Sequence, residues 1–305
     1  MGRLRLVIGR LTASKRSPNT LTAYASDWKH FGVWCAGAGR QALPATPDTI
    51  ALYVAEMLDT FKVSSVERHV AAIRFKHVEA QHKSPTVDEQ VTGIMAGARR
   101  ERGTKPNRKA AITPPQLRQM CAKLPKTDVG TRNRAVLLLG FASGMRRTEL
   151  SDLNIGDIDI LPKGARVRIG RSKTDQEGKG REIGVFRGSR VRSCPVLAVE
   201  AWLKVRNKKP GPLFVSLSAN APGEQDRLSD TSIWRIVKDA VESIGLDPGL
   251  YGAHSLRAGC VTAAIENGTP ESIVMLLTGH KSIQTVARYV RPATLWHRDP
   301  LAKAM

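Results

Sequence analysis

The sequence has few cysteines, and their spacing excludes two common ways of stabilising a small fold. Four cysteines are spread over 305 residues, and no two of them form a C-x-x-C pair. This spacing predicts neither a zinc site nor a disulfide framework. We therefore expect no metal site, and a reducing compartment, the cytoplasm, is the simplest location.

Long apolar runs are also missing. The longest extends from Ala135 to Met145, but it contains Gly140, Ser143 and Gly144 and is too short to cross a bilayer. The first 11 residues include three arginines without a long apolar core or a clear cleavage site, so we expect no signal peptide. The sequence predicts no membrane partner.

Acidic residues are scarce relative to basic ones. The chain has 27 Asp and Glu against 48 Lys and Arg, a net charge of +21. Its 41% of hydrophobic residues is typical of a globular protein, and its length allows two domains. The excess of positive charge favours a nucleic-acid partner over an acidic membrane or a merely solvated basic surface.

The N-terminal third carries helical patterns. Apolar residues of the first pattern recur at steps of three and four: Leu21, Tyr24, Trp28, Phe31 and Cys35. Helix starts are predicted at Ser17-Pro18, at Thr46-Pro47 and, from a capping box, at Ser64–Glu67. With a shorter helix over Val87–Ala98, residues 12 to about 100 predict a bundle of about four helices.

A basic segment follows and predicts a domain boundary. Residues 99–109 contain one acid, and Gly103, Pro106 and Asn107 interrupt any helix. The basic residues are Arg99, Arg100, Arg102, Lys105, Arg108 and Lys109. Their density favours a linker that follows a phosphate backbone over a plain solvated connector. We expect a helical domain over residues 1–104, with the linker starting near 99, and a second domain over 110–305 that ends in a tail at 290–305.

The second domain combines helices with short strands. Thr113-Pro114 predicts its first helix, and a hydrophobic helix over Ala135–Ala142 is expected to be central to its core. Alternation predicts strands over Ile158–Ile160, Ala165–Ile169 and Glu182–Phe186, with Lys173 on a polar hairpin turn. Further helices are predicted over residues 195–205, 229–244, 255–266, 270–277 and 282–289. The predicted fold is therefore mainly α with a small antiparallel β-sheet.

Two arginines of this domain are candidates for binding a phosphate. Arg146 lies in Gly144-Met145-Arg146-Arg147-Thr148-Glu149-Leu150, after a helix and a glycine, and Arg257 lies one helical turn past His254. Cleavage of a phosphodiester requires that negative charge be neutralised as phosphorus becomes five-coordinate. Guanidinium groups do this with a planar fork of donors that stays protonated. Glu149 can orient Arg146 across one turn or form an ordinary surface ion pair.

Four other side chains can complete a cleavage chemistry. Tyr289 is the candidate nucleophile, and a cationic pocket would favour its activation, because a free phenol has a pKa of ~10. His254 and His280 are candidates for a proton carrier and a hydrogen-bond donor to phosphate. Lys173 can protonate the departing 5′ oxygen, and Lys179, on the same turn, is the rival candidate.

In chain order these motifs resemble those of the tyrosine recombinases of the phage integrase type. The segment Gly144–Leu150 resembles the family's first arginine box, and His254-Ser255-Leu256-Arg257 resembles its His-x-x-Arg box. Leu277-Thr278-Gly279-His280, followed nine positions later by Tyr289, resembles its closing box. The resemblance covers most of the chain. It implies a helical core-binding (SAM-like) domain, a basic linker and an α+β catalytic domain.

The resemblance also implies a reaction, on double-stranded DNA and without a cofactor. The chain would be a site-specific recombinase that cuts through a 3′-phosphotyrosine and exchanges strands through a Holliday junction. Its activating set would be Arg146, Lys173, His254, Arg257 and His280, with Tyr289 as nucleophile and Glu149 as supporting acid. It would act as a homo-tetramer on DNA, from a free monomer. It would be a cytoplasmic, nucleoid-associated protein of bacterial, phage or mobile-element origin. Accessory DNA-bending proteins, and docking of the tail on its own or a neighbouring protomer, stay open.

Two other functions fit the same sequence. A type IB topoisomerase shares the constellation and relaxes supercoils without paired sites. A non-catalytic, sequence-specific DNA-binding protein would recognise a site without cutting it. A covalent protein–DNA adduct would exclude the binding protein, and a product joined from two separate sites would exclude the topoisomerase.

Overall fold

The structure is a computed structural model that describes residues 16–103, 109–170, 180–206, 210–217 and 226–294, without the side chains of 288 and 290–294. The chain divides into two compact units, residues 1–107 and 108–305. Each unit has a hydrophobic core of its own. Within the described ranges no helix is long and apolar enough to span a membrane.

Helices dominate both units. In the first unit the helices are α1 (Pro18–Gly37), α2 (Pro47–Thr60), α3 (Val63–Glu79) and α4 (Glu89–Arg102). In the second unit they are α5 (Pro114–Lys123), α6 (Asp128–Ser143), α7 (Arg147–Asp152), α8 (Pro195–Val205), α9 (Asp230–Glu242), α10 (Ala253–Glu266), α11 (Glu271–Thr278) and α12 (Ile283–Thr294). The strands β1 (Ile158–Leu161), β2 (Gly164–Ile169) and β3 (Arg181–Phe186) form an antiparallel sheet in the order β1-β2-β3. The predicted fold class, mainly α with a small antiparallel sheet, is confirmed.

Side-chain caps begin several helices where the sequence predicts them. The hydroxyls of Ser17 and Thr46 accept hydrogen bonds from backbone N–H groups three residues on, and proline follows each cap. Thr113 and Gln116 form a reciprocal capping box at α5. Each cap satisfies backbone donors that have no partner inside the helix.

The capping box predicted over Ser64–Glu67 is wrong. Helix α3 begins at Val63, after Lys62, whose side chain makes no cap. Val63 is 5% exposed and belongs to the core of the first unit. Burial of a valine contributes about 1.5–3 kcal/mol against about 1 kcal/mol for a cap, so packing sets this helix start.

Helix α4 extends beyond its predicted end at Ala98. It continues to Arg102, so Arg99, Arg100 and Arg102 are helical rather than part of an irregular linker. Cations in a last turn interact favourably with the helix dipole. The helix ends at Gly103, whose φ of 69° is a conformation that glycine adopts readily.

The core of the second unit is built around α6. Residues 135–140 of this helix are all buried, and the helix packs against α8 and α10. This confirms the central position predicted for Ala135–Ala142. In the sheet, Val167 pairs with Ile183 and Ala165 with Val185, and all four side chains are buried. The sheet therefore contributes one apolar face to the same core.

His77 makes the first unit sensitive to pH. It is fully buried; its Nε2 accepts a hydrogen bond from Ala45 N–H, and its Nδ1 donates one to the Ile73 carbonyl, each at 2.9 Å. Burial lowers the pKa of His77 below its usual value. The unfolded chain therefore binds a proton more readily than the folded chain. The stability contributed by neutral His77 is full above about pH 6.5 and is lost as the pH falls below that value.

We expect the melting temperature of the full chain to fall between about pH 7.5 and about pH 5.5. The fall should be smaller in His77→Gln, because glutamine keeps a donor and an acceptor but does not titrate. Scanning calorimetry of both proteins across this range measures the difference. Equal pH slopes in the two proteins would show that His77 is not responsible.

Candidate active site

Arg146 is positioned by a tight turn at the end of α6. Gly144 ends this helix with φ 58°, and a Cβ added to it would lie 2.9 Å from Thr278 Cγ2. Glycine is required here for both the left-handed backbone and the close approach. Arg146 then occupies the N-cap position of α7, and its side chain stays 19% exposed. Its guanidinium is thus fixed in place and partly open to solvent.

Arg257 joins three segments of the chain. It is 1% exposed, and its Nη1 donates to the carbonyls of Gly144 and Thr278, each at 2.7 Å. Its Nη2 lies 2.9 Å from His280 Nε2. Burial, followed by the charge of Arg146, lowers the pKa of Arg257 to about 10. The guanidinium therefore remains charged at neutral pH, in the interior of the cluster.

His280 is neutral and accepts a hydrogen bond from Arg257. The Thr278 hydroxyl donates to the Val274 carbonyl at 2.6 Å, so its oxygen accepts from His280 Nδ1 at 2.7 Å. His280 Nε2 is then left to accept from Arg257. Burial, followed by the charge of Arg257, lowers the pKa of His280 to about 4. In this arrangement both ring nitrogens are occupied, and neither donates toward solvent.

The Tyr289 hydroxyl contacts a neutral imidazole. It lies 2.8 Å from His254 Nε2, and the ring centroids of His254 and His280 are 6.5 Å and 6.2 Å from that of Tyr289. Burial, followed by the charges of Arg257 and Arg146, lowers the pKa of His254. His254 is thus uncharged at neutral pH, and its Nε2 can accept the phenolic proton.

Glu149 is a buried carboxylate between two arginines. It is 4% exposed, which excludes an ordinary surface ion pair. It accepts hydrogen bonds from Arg146 Nη1 at 2.6 Å and Arg146 N at 2.9 Å, and from Arg181 Nη2 at 2.9 Å and Nη1 at 3.3 Å. Burial alone would raise the pKa of Glu149, but the hydrogen bonds from Arg181 and Arg146 hold it below its usual range. The carboxylate is therefore ionised and fixes both guanidiniums.

These contacts bring most of the predicted site residues into one cluster. Its members are Arg146, Glu149, His254, Arg257, His280 and Tyr289. Lys173 and its rival Lys179 lie outside the described residues. Two guanidiniums that remain charged, beside a phenol with a proton acceptor, can bind a phosphodiester and attack it. Across the described ranges, no group of three or more His, Cys, Asp or Glu could hold a metal ion.

Two family models match this chain. Residues 110–295 match the phage integrase family, and residues 10–83 match the phage integrase N-terminal SAM-like domain. The chain belongs to the phage integrase family. It is a tyrosine recombinase, a site-specific enzyme that cleaves and rejoins DNA.

Relatives of this tyrosine recombinase extend over nearly the whole chain. An integrase/recombinase XerD homolog of Selenomonas ruminantium is 33% identical over 303 residues, which cover 98% of this chain and 89% of that protein. Tyrosine recombinase XerD of Neisseria meningitidis serogroup B is 27% identical, with 92% of this chain and 89% of that protein covered.

Solved recombinase structures share the fold. A lambda integrase dimer bound to a COC′ core site aligns with a TM-score of 0.63 at 17% identity, covering 92% of this chain and 74% of that chain. The XerH recombinase in a post-cleavage complex with difH aligns with a TM-score of 0.62 at 19% identity, covering 85% and 71%. At these identities the likeness concerns the fold of this tyrosine recombinase.

Arg181 belongs to the cluster of this tyrosine recombinase but was not among the predicted residues. The predicted third strand begins at Glu182, whereas β3 begins at Arg181. Alternation places Arg181 on the same face as the buried Ile183 and Val185. An arginine at the end of the buried face of a strand needs a carboxylate partner. The alternation of Arg181 with Ile183 and Val185 could therefore have indicated Arg181 as a residue of the site.

Three of the basic residues predicted to contact DNA lie in the last turns of α4. Arg99 pairs with Glu67 at 2.6 Å and Arg102 with Asp59 at 3.6 Å, while Arg100 is exposed. Exposed ion pairs of this kind contribute about 0–1 kcal/mol, so their cations can exchange partners at little cost.

The other three predicted contacts belong to the segment between the matched regions. Lys109 is exposed and donates a hydrogen bond to the Gly249 carbonyl. Lys105 and Arg108 lie outside the described residues.

Proposed function

We propose that the chain recombines specific DNA sites through a covalent 3′-phosphotyrosine at Tyr289. The observation that carries this proposal is the 2.8 Å contact of the Tyr289 hydroxyl with neutral His254, in the same cluster as Arg146 and Arg257. A nucleophile, a proton acceptor and fixed cations are the groups that such a cleavage requires.

In the cleavage step the phenolic oxygen attacks phosphorus, and the bond from phosphorus to O5′ breaks. The phenolic proton passes to His254 Nε2, and the leaving O5′ takes a proton from Lys173, with Lys179 as the alternative donor. Arg146 and Arg257 stabilise the charge that grows on the non-bridging oxygens. Cleavage replaces the phosphate ester to O5′ with a phosphate ester to tyrosine, so the energy of the bond is conserved. A 5′ hydroxyl of the exchanged strand can therefore attack the phosphotyrosine and rejoin the DNA without a cofactor.

The assembly follows from the same proposal. Four protomers, free as monomers, would hold two DNA sites and exchange strands through a Holliday junction. A lambda integrase tetramer bound to a Holliday junction has a related fold, with a TM-score of 0.61 at 17% identity, and this supports the arrangement. The tail, predicted over 290–305, would dock on its own or a neighbouring protomer. Helix α12 includes the first part of this range, because it ends at Thr294. We place the protein in the cytoplasm, on the nucleoid, with accessory DNA-bending proteins as optional partners.

We also propose that the two parts of the chain have different roles on DNA. Residues 1–104 would bind the core of the DNA site, and residues 110–305 would cleave it. The exposed Arg99 and Arg102 would exchange Glu67 and Asp59 for DNA phosphates, because surface ion pairs are weak and phosphate contacts release counterions. The other four linker cations, Arg100, Lys105, Arg108 and Lys109, would extend this contact along the backbone.

A nicked suicide duplex tests the chemistry. We expect the full chain, incubated with a library of such duplexes with a randomised centre, to form a denaturant-resistant adduct. The short strand beyond the cleaved phosphate diffuses away and prevents rejoining. Sequencing of the trapped DNA gives the site, and peptide mapping should place a 3′ phosphate on Tyr289. An adduct through a 5′ phosphate, or on another residue, would contradict the proposal.

The trapped site then distinguishes the other functions. Two plasmids that each carry it should yield a joined product. Relaxation of a plasmid without the site, and no joining, would indicate a topoisomerase. Specific binding with no adduct on any duplex would indicate a DNA-binding protein without chemistry.

A further inference from the structure

Arg181 lies between two halves of the cluster. Toward α7, its Nη2 and Nη1 donate to Glu149 at 2.9 Å and 3.3 Å. Toward the turn after α11 it packs on Gly279, where an added Cβ would lie 2.9 Å from Arg181 Nη1 and 3.0 Å from its Cζ. The side chain is 17% exposed, and its Nε is buried without a hydrogen-bond partner among the described residues. The guanidinium is thus enclosed, and its fork is directed at one carboxylate.

We infer that Arg181 is a positioning residue for DNA cleavage, which fixes Glu149 against Arg146 and supports the turn that carries His280. Glu149 accepts two hydrogen bonds from Arg146 and two from Arg181. Both bonds from Arg146 come from the adjoining turn of the same helix, so Arg181 supplies the non-local anchor. The inference rests on the proposed function, because it takes Arg146 to be a phosphate-binding group.

The ionisation of Glu149 depends on the same contacts. Among the described residues, the charged groups that face its carboxylate are Arg146 from its own helix, Arg181 from β3 and Arg257 from α10. Burial opposes ionisation, and the hydrogen bonds from Arg181 and Arg146 outweigh it. Without Arg181 the pKa of Glu149 would rise. The carboxyl group would then bind a proton at a higher pH and would hold Arg146 less firmly.

The experiment compares Arg181→Met with Arg187→Met. Arg187 follows the opposite end of β3 and makes a similar two-point contact with Glu200, at 2.6 Å and 3.2 Å, outside the cluster. We expect Arg181→Met to slow formation of the Tyr289 adduct by about tenfold to hundredfold, with DNA affinity within about threefold of wild type. Its rate should also fall more steeply than that of wild type as the pH is lowered, because Glu149 then binds a proton at a higher pH. Arg187→Met should match wild type in rate and in pH profile.

Two further variants separate positioning from general structural support. The double variant Glu149→Gln/Arg181→Met should lose the added pH dependence, because glutamine does not titrate. Arg181→Lys should recover part of the rate, since it keeps the charge but lacks the planar fork, and it replaces Arg181→Met in the comparison if the latter fails to fold. No adduct from wild type would overturn the proposed function itself. A wild-type adduct, with equal rates and pH profiles for the Arg181 and Arg187 variants, would overturn the role of Arg181 alone.

Discussion

Tyr289→Phe is expected to abolish formation of the covalent protein–DNA adduct while the affinity for DNA stays within about threefold of wild type. The substitution removes the oxygen that would bond to phosphorus and leaves the ring in place. It also removes the 2.8 Å hydrogen bond to His254, but His254 is neutral, so no charge is left unpaired. Denaturing gels measure the adduct, and mobility-shift titration measures the affinity. The affinity is preserved because phosphate contacts from basic side chains dominate binding to DNA.

The matched control is Tyr251→Phe. Tyr251 lies in the same unit, is 8% exposed, and has its hydroxyl 3.5 Å from Gln116 Nε2. This variant should form the adduct at the wild-type rate. Adduct formation by Tyr289→Phe would remove Tyr289 from its role. Loss of adduct in both tyrosine variants would point to a general effect of removing a hydroxyl from this unit.

The order of the motifs predicts which residues meet, but not what each of them contacts. The sequence predicts that Arg257 binds a phosphate, but it does not indicate that this side chain is 1% exposed and also donates to the Gly144 and Thr278 carbonyls. His280 was a candidate donor to phosphate, yet both of its ring nitrogens are occupied by Thr278 and Arg257. These contacts join three segments that are far apart in the sequence. Periodicity and spacing describe only neighbours along the chain, so they could not supply them.

Local signals predict the helix starts at Ser17 and Thr113, because a side-chain cap is encoded within a few residues. Where packing decides, the same signals fail. Burial of Val63 moves the start of α3 away from the predicted box, and the buried face of β3 includes Arg181, one residue before the predicted strand. The residue missed at the site is therefore one whose partner, Glu149, is distant in the sequence.

Gly259→Ala is expected to destabilise the second unit, although alanine is the better helix former. Gly259 is buried in α10, and a Cβ added to it would lie 2.0 Å from the Ile112 carbonyl oxygen and 2.7 Å from Phe141 Cε2. Helix propensity favours alanine by about 0.5–1 kcal/mol, whereas overpacking costs about 1–3 kcal/mol. Ile112 cannot move away easily, because its N–H donates to the Ser255 carbonyl at 3.1 Å. The steric cost therefore outweighs the gain in propensity.

The same substitution should slow cleavage, because His254 and Arg257 belong to the helix that must shift. A displacement of about 1 Å in a reacting group can reduce a rate by about a hundredfold. Gly93→Ala in α4 is the matched control: nothing lies within 4 Å of an added Cβ there, so it should keep the wild-type rate and gain about 0.5–1 kcal/mol of stability. Melting temperatures and adduct rates of both variants test the argument. If Gly259→Ala behaves as Gly93→Ala does, the close approach of Ile112 to α10 does not determine where His254 and Arg257 lie.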